Sequence, residues 1–190
     1  MLRELLKTLI AALFIPTALA AQSAVPAQQP ASRPLSQVGV ERINREVRHE
    51  LLLLRYYGVF DNLGYRVAPD GSVTLVGQVA RPSLKTDAEN VVKHIEGVER
   101  VENQIQILPT SPMDDQIRMA TYRAIYGNSS LAPYSVRAVP PIHIIVSGGH
   151  VTLEGAVANQ MDKQTAETQA KSVPNVFSVT DNLQVDQGSK

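Results

Sequence analysis

GSVTLVG at residues 71–77 and GHVTLEG at residues 149–155 are nearly the same seven residues, 78 positions apart. Residues 71–107 slide onto 149–185 without a gap, and Gly71, Val73, Leu75, Gly77, Lys85, Ala88, Val101 and Gln106 are among those that meet their own type. Ile95, Ile105 and Ile107 meet Val173, Leu183 and Val185. An ungapped match of this length marks a duplicated unit. The repeated stretch itself alternates: Val73, Leu75 and Val79 against Ser72, Thr74 and Gln78, which predicts a strand with one core face. Asp70-Gly71 and Gly148-Gly149 predict the hairpin turns that precede it. Gly71 and Gly149 suit the positive φ of such turns, while Gly77 and Gly155 fall mid-strand, where glycine marks a bulge or close backbone approach.

Working outward, the same order of elements occurs twice. Residues 41–58 read as a helix with Ile43, Val47, Leu51 and Leu54 on one stripe, stopped by Gly58. A hairpin over 64–79 follows. A second helix over 81–97 has Pro82 in its first turn, Gly97 at its C-terminal cap, and Leu84, Ala88, Val91, Val92 and Ile95 inward. Residues 98–108 read as one closing strand with Val101, Ile105 and Ile107 on one side. The second round is a helix over 113–127, with Asp114 or Asp115 suited to its N-terminus, a hairpin over 141–157, a helix over 159–173 and a strand over 176–185. Asn175 stands where the first unit has Gly97, and Asn tolerates the left-handed conformation next best. The expected fold is α+β: two tandem αββαβ units over 38–109 and 112–186, each a three-stranded mixed sheet with two helices on one face. The other sheet face is left open or packs on the sister unit.

The units are preceded by two segments of other kinds. MLRELLKTLIAALFIPTALA (1–20) has Arg3 and Lys7, an apolar run from Leu9 to Leu19, and a small-x-small end, the pattern of a secretory signal peptide. The run falls short of the roughly 20 residues that span a bilayer. Residues 21–37, rich in Ala, Gln and Pro, read as a flexible linker. The expected location is therefore periplasmic, or secreted.

The paired units resemble BON domains, modules of exported bacterial osmotic-stress and envelope proteins. The resemblance rests on DGSVTLVG with GVERVENQI in the first unit, and on GGHVTLEG with PNVFSVTDNL in the second. It implies the αββαβ fold, binding to phospholipid membranes or envelope proteins, and no catalytic residues. The chain departs from the family pattern in lacking a lipoprotein Cys, in Asn175, and in a longer loop at 128–140.

Composition points the same way. With 18 basic and 18 acidic residues the net charge is zero, which gives no reason to expect nucleic acid as a partner. The absence of Cys excludes disulfides, thiolate zinc sites and thiol nucleophiles. His49-Glu50 begins like H-E-x-x-H, but Leu53 breaks the pair. A two-residue turn would set His143 opposite Glu154 on the outward sheet face, read as an exposed polar pair and not a metal site. No nucleophile elbow, P-loop or dinucleotide fingerprint occurs, so neither an enzyme nor a cofactor is expected. The candidate contact residues lie in the second unit. With Ile117, Ala120, Thr121 and Ala124 as the core face of its first helix, Met119, Tyr122 and Tyr126 make a second stripe, which Leu131 and Tyr134 can extend. Arg118, Arg123 and Arg137 stand near it. The stripe reads either as a lipid- or partner-binding patch or as packing against the first unit or the loop; Leu52, Leu53, Tyr56 and Tyr57 pose the same choice. The unit holds five Lys/Arg against seven Asp/Glu, so lipid contact would rest on insertion beside those arginines, not on long-range steering. Binding of envelope proteins, as a chaperone or assembly scaffold using a sheet edge, is the alternative function.

Overall fold

A computed structural model describes residues 35–186. The expected signal peptide and nearly all of the expected linker lie outside the described residues. Helix α1 (Gln37–Leu52) starts earlier than expected because the Ser36 hydroxyl accepts the Gly39 amide at 3.2 Å and caps it. It also ends earlier than expected. The apolar period runs on to Leu54, yet residues 53–61 leave the helix, with Tyr56 in the left-handed region at φ 73°. Ile43, Val47 and Leu51 form its buried stripe.

Strands β1 (Asn62–Val67) and β2 (Ser72–Val79) pair antiparallel, with Tyr65 opposite Leu75. Helix α2 (Pro82–Val92) buries Leu84, Ala88 and Val92. The expected single closing strand is divided into β3 (Arg100–Asn103) and β4 (Gln106–Ile107), both parallel to β2. Asn103 causes the break. Its side chain accepts the Ile105 amide at 3.2 Å and donates to the Lys85 carbonyl at 2.9 Å, which ties the chain to α2. Ile105 is buried there, but Ile107 is 47% exposed and Leu108 takes the inward place expected of it. The sheet is still three strands wide, since β3 and β4 both lie along β2.

The second module repeats the plan: α3 (Pro112–Tyr126), a 3-10 turn (Ala132–Val136), β5 (Ile142–Ser147), β6 (His150–Val157), α4 (Gln160–Lys171), β7 (Ser178–Asp181) and β8 (Gln184–Val185). Each module has its own aliphatic core, centred on Leu75 and Leu84 in the first and on Ile144 and Leu153 in the second. Gly97 and Asn175, at φ 85° and 65°, hold the same left-handed position after the helix turn in each copy.

The mid-strand glycines report close approach. Gly77 and Gly155 have φ of 121° and 113°, and a Cβ on either would collide with the backbone carbonyl of Asn62 or Pro141. Neither chain can move away without leaving its ladder. Gly77→Ala and Gly155→Ala should each cost on the order of 3 kcal/mol, from left-handed strain and the clash together. Urea unfolding of the variants checks this; a loss below about 1 kcal/mol would mean that the strand relaxes freely.

Candidate functional site

The register of the second hairpin decides what its edge can do. Ile142 pairs with Gly155, Ile144 with Leu153 and Val146 with Val151. The Gly149, Leu153 and Val157 carbonyls accept bonds from the closing-strand side. The intervening β6 residues therefore face β5, and the backbone groups of Ile142, Ile144 and Val146 point outward to the free edge. Three groups close that edge. The Tyr126 hydroxyl donates to the Ile142 carbonyl at 2.6 Å and accepts the Ile142 amide at 3.3 Å. The Arg118 guanidinium donates to the Val146 carbonyl at 2.7 Å. The Ile144 amide donates to the Val59 carbonyl of the first module at 2.7 Å.

These bonds correct part of the sequence expectation. Tyr126 and Arg118 are buried as edge-sealing groups, and Leu131 is fully buried in the second core. None of the three is available to a partner. Burial drives the Tyr126 phenol far above its ordinary range, which keeps it a neutral donor. The core face of α3 is formed by Ile117, Thr121, Ile125 and Tyr126, with Ala120 and Ala124 only half-buried. Asp114 also acts beyond its own helix. Its buried carboxylate accepts the Gly148 and Gly149 amides, both at 2.9 Å, and fixes the hairpin turn. Tyr134 is half-buried; its hydroxyl donates to Asp162 at 2.6 Å and accepts the Ala158 amide at 2.8 Å.

Loop 53–61 reaches across from the first module. Val59 and Phe60 pack against the second core. Phe60 meets Tyr122 edge-on at 6.2 Å, and the Tyr57 ring stacks on His143 at 5.7 Å. His143 does pair with Glu154, but it is buried and not the exposed side chain expected. The loop covers it. Asp61 holds the loop in shape, its buried carboxylate accepting the Ala80 amide at 2.8 Å and the Gly58 amide at 3.2 Å. Arg81 lies over the Tyr56 ring at 4.8 Å, while Leu52, Leu53 and Tyr56 remain exposed. Among the described residues no three His, Asp or Glu side chains converge as metal ligands.

What stays open at this junction is a groove of about 370 Å³. Val59 and Phe60 line it from the first module, and Met119, Tyr122 and Arg137 from the second. Met119 is 42% exposed, and Val136, next to Arg137 in the chain, is 85% exposed. Of the residues expected to make a contact, Met119 and Tyr122 meet here. Arg123 is exposed on α3 and does not line the groove. Phe60 and Val136 were not foreseen: their part depends on loops whose course no local pattern encodes.

A BON domain family model matches residues 39–109 and again residues 114–187. Among curated proteins none matches the chain. Two solved structures of CdsD, a structural protein of the type III secretion system of Chlamydia trachomatis, overlap it weakly. One is 10% identical, covers 77% of this chain and 94% of its own, and has a TM-score of 0.28. The other, a C-terminal domain, is 13% identical, covers 74% and 96%, and has a TM-score of 0.29.

The buried junction should respond to acid. Burial lowers the His143 pKa below its ordinary 6.5, against the pull of the Gly58 and Asp61 backbone and the Asp61 and Glu154 carboxylates. The unfolded chain then takes up this proton first. Stability is full above pH 6.5 and is lost as pH falls through the folded value. Asp61 has the opposite sign: burial raises its pKa above 3.8, so its share is full below 3.8 and is lost as pH rises through the folded value. Melting temperature should fall as pH is lowered from 6.5, and His143→Phe should flatten the slope. Parallel slopes would remove His143 as the cause.

Proposed function

The chain belongs to the BON domain family, and from that premise we propose an exported, envelope-associated binding protein that engages phospholipid membrane surfaces and contributes to envelope integrity or stress tolerance. The junction groove is the observation that carries this reading. It brings Phe60, Met119 and Tyr122 to one place, with Arg137 in its lining and the exposed Val136 beside it. Apolar side chains of this size suit shallow insertion among acyl chains, and an adjacent guanidinium suits a phosphate headgroup. Each such cation contributes about 1 kcal/mol near an anionic surface. Affinity would rest on insertion more than on charge, since the second module carries five Lys/Arg against seven Asp/Glu.

The test is flotation with vesicles of phosphatidylcholine and phosphatidylglycerol. Met119→Asp/Val136→Asp should leave folding intact, because both side chains are exposed. The variant should lose most of the lipid-bound fraction, and Arg137→Gln should lose a smaller share. Equal flotation of the double variant and the unmodified chain would end the proposal.

A further inference from the structure

The two copies treat their first strand edges differently. By register, Asn62, Gly64 and Arg66 sit opposite Gln78, Val76 and Thr74, and the Ala68 amide donates to the Ser72 carbonyl at 2.8 Å. The Gly71, Leu75 and Val79 carbonyls serve the other side of β2. The backbone groups of Leu63, Tyr65 and Val67 therefore point away from the sheet. The Tyr57 hydroxyl faces the Leu63 backbone. The amides and carbonyls of Tyr65 and Val67 have no partner among the described residues. At the far end the Leu35 amide donates to the Pro69 carbonyl at 2.7 Å, and among the described residues no Tyr126, Arg118 or Val59 equivalent seals the stretch between. Beside it runs a groove of about 280 Å³, lined by Arg48, Leu52, Tyr57 and Leu63 among others.

An unpaired edge beside an apolar groove accepts a strand. The charges say which kind. Arg66 is the only charged residue in β1 and β2, it is exposed, and Arg48 stands exposed in the groove. Neither has an ion-pair partner among the described residues. The β1 strand of a second copy carries no acidic residue to meet these arginines and is disfavoured. Residues 21–34 of the same chain hold no acidic residue, add the cation Arg33 and lose three ladder donors to Pro26, Pro30 and Pro34. We infer that the β1 edge of the first module captures an extended polypeptide segment as an added strand, with apolar residues at alternate positions and an acidic residue that meets Arg48 or Arg66.

This inference is independent of the lipid reading, since none of its residues lines the junction groove. A random octapeptide library, selected on the immobilised chain, tests it. The enriched pool should alternate apolar residues and carry Asp or Glu. The leading synthetic peptide should slow hydrogen exchange at the Tyr65 and Val67 amides. Arg48→Glu/Arg66→Glu, both at exposed positions, should weaken that peptide at least tenfold and shift the selected pool toward Lys and Arg. Absence of enrichment, the same pool on the double variant, or protection that appears only on dimerisation of the chain would overturn the inference.

Discussion

The Ile144 amide bonded to the Val59 carbonyl joins the two modules at a point where both need it. A unit of about 70 residues sits near the lower limit for a stable core. The second module gains Val59 and Phe60 as packing against its core, and the first gains a second anchor for a loop that it already holds through the Asp61–Ala80 bond. The bond also satisfies a donor that would otherwise be stranded beneath that loop. Around it, the Tyr57 ring stacks on His143, which is buried on the face of β5 away from the helices.

Much of this fold was legible because its causes are local. Alternation over residues 73–79 and the turn glycines fixed the hairpins, and the repeat fixed their number. What was not legible depends on partners distant in sequence. The apolar period of α1 runs on to Leu54, yet the helix stops at Leu52, and the residues that follow are engaged by Ala80, His143 and Ile144. Arg118 looked like a surface cation, but a strand carbonyl requires its guanidinium. Tyr126 looked like half of a wet stripe until the Ile142 carbonyl appeared at its hydroxyl. Met119 and Tyr122 line one groove, and Phe60, which joins them there, belongs to the other module.

The two copies treat their strand edges differently. The second copy spends a tyrosine and an arginine of α3 on its own strand edge. Among the described residues the first copy leaves the Tyr65 and Val67 backbone groups unpaired, and it gives up its α1–β1 loop to its neighbour. The shared scaffold is held constant by Gly77 and Gly155, whose positions admit no side chain.

Loop 53–61 also sets an order of events in time. Its partners on α3 and β5 lie far downstream, and a chain emerging N-terminus first completes the first module before they exist. Val59 and Phe60 must then wait uncovered beside a finished core. Joining the modules is a late, high-separation step, slower than closing either hairpin. During that interval the nascent protein shows an apolar surface that the mature one hides, and a holding factor would find its footing there.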